Sequence, residues 1–188
     1  MTPVGATRRG ARAAVVALVA LVATLLAIGG CSAPGLGGPT YPPDGATPPP
    51  AGDATRVALG QVVTALAAVG LPAAAVATPY RPPEAARLAA APRSIVQVAL
   101  PEDPQRGLFV LYELGSLDAA RSAAEEQAAY IATGPGGIQF PPGARFVLRV
   151  TGSTVVFFTW APTSDGDPRT ADIARALETI GTGVPVGS

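Results

Sequence analysis

ARFVLRVTGSTVVFFTW, residues 144–160, holds two apolar runs of period two joined by Gly152-Ser153. β-Branched and aromatic side chains fill both runs, and a two-residue Gly-Ser connection suits a type II′ turn. The stretch predicts a hairpin over 144–151 and 154–160. Its turn sets the register, placing Val150 opposite Val155, Leu148 opposite Phe157 and Phe146 opposite Thr159 on one side, the core. The other side then carries Val147 opposite Phe158, Arg149 opposite Val156 and Arg145 opposite Trp160. That second side is too apolar for plain water yet holds two arginines. Arg145 is placed for a cation–π contact with the only tryptophan.

Upstream the same pattern recurs. Residues 94–100 and 107–114 are β-runs separated by Pro101-Glu102-Asp103-Pro104-Gln105-Arg106, which is turn chemistry. In this hairpin Ile95, Gln97 and Ala99 are expected to share the second side with Phe109, Leu111 and Glu113. A helix follows each hairpin. Ser116 caps one through residue 132, with Leu117, Ala120, Ala124, Ala128 and Ile131 inward and Arg121, Ser122, Glu125 and Glu126 toward water. Asp167-Pro168 opens the other as N-cap and first residue, and Ile173, Leu177 and Ile180 form its stripe before Gly181.

Two helices precede the hairpins. Asp53 caps one over residues 54–69, with Val62, Leu66 and Val69 as its stripe, Gly70 as its C′ residue and Pro72 as a block. A short one is expected over 83–90, with Glu84 near its positive end; residues 73–80 are ambiguous. The expectation is an α+β domain with a four-stranded, mainly antiparallel sheet. Two hairpin–helix units build it, preceded by one long and one short helix. The helix over 54–69 either lies across the second side of the sheet or leaves it open.

The N-terminus carries a different signal. Arg8, Arg9 and Arg12 precede sixteen apolar or small residues, 13–28, interrupted only by Thr24. Ile28-Gly29-Gly30-Cys31 follows, and Cys31 is the only cysteine. A basic n-region, an apolar h-region and small residues before a cut site make a secretory signal peptide. Here the chain resembles bacterial lipoproteins, whose lipobox is an aliphatic residue, two small residues and a cysteine. The resemblance covers four residues and implies that Cys31 is lipidated and becomes the mature N-terminus. An uncleaved membrane span is the alternative; residues 13–30 are at the short edge of that length. Arg8-Arg9 also raises twin-arginine export, but Gly10-Ala11 replace the apolar residues that usually follow. Two acyl chains suffice for stable anchoring where one is marginal.

The organisation read from sequence is thus a signal peptide over 1–30, a tether over 31–52 and one domain over 53–188. Residues 32–52 hold seven prolines and five glycines. At about 3.1 Å per residue they reach about 65 Å when extended. The expected location is the extracytoplasmic face of the cell membrane.

Composition removes most chemistry. Of the thirteen arginines, three lie in residues 1–30, leaving ten against thirteen acids, a net charge near −3. No basic field exists to attract nucleic acid. There is no histidine, lysine or asparagine, so no imidazole base or metal ligand and no Schiff base. Carboxylate pairs remain (Glu102-Asp103, Glu125-Glu126, Asp165-Asp167), but turns, caps and a solvated helix face account for them. Ser164-Asp165-Gly166-Asp167 lacks the ligand pattern of a calcium loop. Gly134-Pro135-Gly136-Gly137 lacks the strand and the Lys of a phosphate loop.

The reading is a lipid-anchored binding module that is not an enzyme and calls for no cofactor or metal. Its partners are the membrane, through Cys31, and an envelope protein, a peptide or an apolar ligand. A structural envelope component and a carboxylate-dependent hydrolase are the alternatives. Candidate binding residues are Arg145, Arg149, Phe158 and Trp160 on the second side of the sheet. Ile138 and Phe140 join them from the Gly/Pro-rich loop over 133–143.

Overall fold

The computed structural model describes residues 52–163 and 166–187. They all fall within one compact unit. The expected signal peptide, lipobox, lipidated Cys31 and tether up to residue 51 lie outside the described residues, as do Ser164 and Asp165. The described elements are α1 (Asp53–Ala68), β1 (Ala73–Val76), α2 (Ala86–Ala90), β2 (Arg93–Val98), β3 (Leu108–Glu113) and α3 (Leu117–Ala132). Then come α4 (Gly134–Gly137), β4 (Arg145–Thr151), β5 (Thr154–Trp160), α5 (Thr170–Leu177) and β6 (Thr182–Gly183).

The class is α+β with an antiparallel sheet. The sheet has six strands in the order β1-β2-β3-β5-β4-β6, a correction to the expected four. The expected hairpins form its centre and the two extra strands its edges. β1 falls in the ambiguous stretch: alanine is a poor strand former, and pairing with β2 makes it one. β6 is two residues of Thr-Gly, too short to leave a pattern.

The deciding hairpin has the expected register. Val150 pairs Val155, Leu148 pairs Phe157 and Arg145 pairs Trp160. Gly152 has φ 56° and no residue other than glycine has positive φ among those described, which agrees with a II′ turn. In the first hairpin the phase of β2 is shifted by one from expectation. Val96 pairs Phe109 and Ile95 pairs Val110, so Val96 and Val98, rather than Ile95, Gln97 and Ala99, share the side of Phe109 and Leu111. Both sides of β2 are apolar, so alternation offers no contrast to fix the phase.

Helices cover both sides of the sheet. Ala58, Val62 and Leu66 of α1, with Ile173 and Leu177 of α5, pack on Val96, Phe109, Leu111, Val147, Val156 and Phe158. On the opposite side the alanines Ala120, Ala123, Ala124 and Ala128 bring α3 onto Val110, Leu148, Val150, Val155 and Phe157. Leu88 and Phe140 close that layer. Of the two arrangements open in the sequence, α1 across the second side is the one found.

Helix ends follow local chemistry with three changes. Gly70, φ 71°, ends α1: its N–H donates to the Ala67 carbonyl, and Leu71 N–H donates to the Leu66 carbonyl. Ser116 caps α3 by accepting the Ala119 N–H at 3.1 Å. The N-cap of α1 is Gly52, not Asp53, and α2 starts at Ala86 rather than 83. α5 starts at Thr170, and Asp167 accepts the Arg169 N–H at 2.8 Å from one turn earlier.

Candidate functional site

The six candidate residues separate. Phe158 is fully buried, edge-on to Phe109 at 6.2 Å and stacked on Trp160 at 5.3 Å. Trp160 is half-buried at the rim of the layer beneath α1 and α5. Arg149 donates from Nε to the Ile180 carbonyl (2.7 Å) and from Nη2 to the Gly181 carbonyl (2.9 Å). Its charge is thereby placed where the C-terminal end of α5 gathers negative potential. Arg145 is exposed at the start of β4. Phe140 is a core residue, edge-on to Phe146 at 4.9 Å and to Phe157 at 6.5 Å. Ile138, two residues earlier, is 82% exposed. The loop over 133–143 is less irregular than expected: Thr133 caps the one-turn α4, which holds Ile138 outward while Phe140 turns in.

A buried polar cluster went unread in the sequence. Glu84, whose side chain is 2% exposed, accepts Arg93 Nη1 at 2.6 Å, Arg81 Nε at 2.9 Å and the Tyr112 hydroxyl at 2.5 Å. Arg93 stands opposite Tyr112 in the sheet, its guanidinium 5.5 Å from the ring centroid. Both arginines also donate to the Ala89 carbonyl. Burial, then the Glu84 carboxylate, pushes the Tyr112 hydroxyl well above its ordinary pKa. Next to it, the fully buried Gln127 of α3 accepts the Ala85 N–H at 2.6 Å and donates to the Pro83 carbonyl at 3.1 Å. Together these groups fasten residues 81–93 onto α3 and β3. Both carboxylate oxygens of Glu84 are engaged, so the cluster acts as a clamp. The available signal was a glutamate in an apolar stretch between two arginines.

The open feature lies elsewhere. A cleft of about 380 Å³ runs between α3 and residues 182–185. One wall is Leu117, Arg121 and Glu125, a stripe at successive i, i+4 positions; Ala128 and Val150 make the floor. The alanine face of α3 packs on β4 and β5, and its flank carrying Leu117, Arg121 and Glu125 lines the cleft opposite Thr182 to Pro185. The sheet ends there in Thr182-Gly183, with little side chain to fill the space. Leu117, expected in the buried stripe of α3, is 48% exposed here. Arg121 and Glu125 have no hydrogen-bond or ion-pair partner among the described residues. The cleft therefore offers an apolar floor and one charge of each sign to a ligand.

Compared with known protein families, with curated proteins and with solved structures, the chain shows no match.

Proposed function

We propose that the chain is a lipid-anchored, extracytoplasmic binding module. The observation that carries the reading is Cys31, the only cysteine, directly after Ile28-Gly29-Gly30 at the end of an apolar run headed by three arginines. Residues 32–52 then serve as a spacer, and the domain from α1 onward does the binding. Support for binding rather than catalysis comes from the missing nucleophile–base pairs and from where the carboxylates are engaged. Glu84, Glu113 and Asp167 are each bonded to backbone or arginine within the fold. The site of this module is the cleft between α3 and β6, which replaces the covered second side of the sheet.

Metabolic labelling with a radioactive or clickable fatty acid tests the anchor. The wild-type chain should be labelled and membrane-bound. Cys31→Ser should lose the label and accumulate as uncleaved precursor or released protein. A Cys31→Ser chain that is processed and membrane-held like the wild type sinks the reading.

A further inference from the structure

We infer that the cleft takes an extended peptide, added along β6 as a seventh strand, whose alternate side chains are apolar, acidic and basic. The inference rests on the binding-module reading and names its ligand.

The backbone of β6 supplies the first argument. Gly183 stands opposite Arg149, and Val184 N–H donates to the Leu148 carbonyl at 2.9 Å. In an antiparallel ladder the inward-bonded residues alternate with residues whose N–H and C=O point away. Leu148–Val184 and Val150–Thr182 are the bonded pairs, so the N–H and C=O of Gly183 face outward from the last strand. Residues 181–183 are exposed; the Arg149 guanidinium fills the space a Gly183 Cβ would take, on one side of the sheet, and the edge itself carries no side chain from Gly183. Pro185 is the next residue pointing outward, and it has no N–H to leave unpaired. The free edge is thus one donor and acceptor pair at Gly183 and the Pro185 carbonyl after it, the Gly181 carbonyl being taken by Arg149, which suits a short added strand.

The wall of the cleft supplies the second. Leu117, Arg121 and Glu125 succeed one another every four residues along α3, about 6 Å per step. Alternate residues of a strand advance about 6.8 Å, a near match over three positions. A strand beside β6 would therefore set successive cleft-facing side chains against Leu117, then Arg121, then Glu125. Complementarity requires an apolar group, a carboxylate and a cation in that order. Arg121 precedes Glu125 on the helix, the less favourable order for pairing within one helix, which leaves both charges available.

The experiment uses the full chain in detergent micelles and a fluorescein-labelled, capped peptide of sequence Ser-Leu-Ser-Glu-Ser-Lys-Ser. Its reversed sequence is included because parallel and antiparallel addition present the side chains in opposite orders. Fluorescence anisotropy should show saturable binding of one of the two. R121E should weaken it tenfold or more, and exchanging Glu and Lys in the peptide should restore it on the R121E/E125R chain. N-methylation of the peptide nitrogens that face β6 should abolish binding, a loss no charge effect alone produces. Arg121 and Glu125 are exposed on α3, so both variants should keep the wild-type circular dichroism and melting curve. Failure of both peptides to bind, or binding indifferent to R121E and to N-methylation, overturns the inference. Acyl labelling at Cys31 without peptide binding leaves the anchored module standing and removes only its proposed ligand. Peptide binding by an unlabelled chain does the converse.

Discussion

The Glu113 carboxylate accepts the backbone N–H of Gly52 at 2.6 Å across sixty-one positions of sequence. Glu113 ends β3 and Gly52 is the residue before α1, so the sheet caps the first turn of the helix. The same oxygen accepts the Thr55 hydroxyl at 2.9 Å, and Thr55 is buried. A carboxylate at this end also meets the positive pole of a sixteen-residue helix. Asp53, the residue expected to cap α1, instead pairs with the exposed Arg56.

Removing this tertiary cap should loosen α1. Glu113→Ala leaves two donors without an acceptor and should cost about 1–3 kcal/mol, read as a shifted urea midpoint. Glu113→Gln keeps an oxygen and should cost less. Asp53→Ala should change stability by under about 0.5 kcal/mol, because its partner is in water. Equal costs for Glu113→Ala and Asp53→Ala would return the cap to Asp53.

Glu84 makes a harsher prediction. Its removal leaves Arg93 and Arg81, 12% and 23% exposed, without their shared carboxylate. Breaking a buried ion pair from one side costs about 3–5 kcal/mol, so Glu84→Ala should lose that much in chemical denaturation. Tyr112→Phe keeps the ring beneath Arg93 and two of Glu84's partners, and should lose only about 1–2 kcal/mol. A Glu84→Ala protein as stable as wild type would show the cluster to be ornamental.

The loop over 133–143 separates two side chains that the sequence grouped. Phe140→Ala opens a cavity among Phe146 and Phe157 and should cost about 3–5 kcal/mol. Ile138→Ser exchanges an exposed side chain for a polar one and should stay within about 0.5 kcal/mol of wild type. Thermal melts of the two variants decide it; similar losses would mean that Ile138 is held against a surface.

How much of this was readable depends on whether a signal is local. Gly152-Ser153 fixed the register of β4 with β5 because a two-residue turn permits only one pairing, and the register is found residue for residue. Ser116 and Gly70 mark their helix ends through bonds to residues three to five away. β1 and β6 carry no such marks: three alanines and a Thr-Gly pair become strands only because β2 and β4 present open edges. The phase of β2 was lost because both of its sides are buried, Ile95 on one and Val96 and Val98 on the other. For the cleft, helical periodicity set Leu117 inward and Arg121 and Glu125 toward water, so the three were not grouped. That they line one cleft depends on β6, whose two residues leave no pattern in the sequence. Glu84 and Glu113 are engaged by residues far away in sequence, which no spacing rule connects.

Asp167 gives a prediction with a definite pH window. Its carboxylate accepts the Glu102 N–H at 2.8 Å through Oδ2 and the Arg169 N–H at 2.8 Å through Oδ1. These bonds, the Glu102 N–H foremost, hold its pKa below the ordinary carboxylate value despite desolvation, which acts the other way. A carboxyl with a lowered folded pKa stabilises the fold above its unfolded pKa, near 4, and loses that contribution as pH falls through the folded value. Asp167→Asn keeps the shape but withdraws the charge and half the acceptor capacity. The variant should therefore melt below wild type at pH 6–8, with the gap constant across that range. Below about pH 4 the gap should narrow as wild-type Asp167 takes up its proton. Melting curves at half-unit steps from pH 2.5 to 7 measure this directly. A gap that persists at the acid end, or widens there, would show that Asp167 acts through shape and not through its charge.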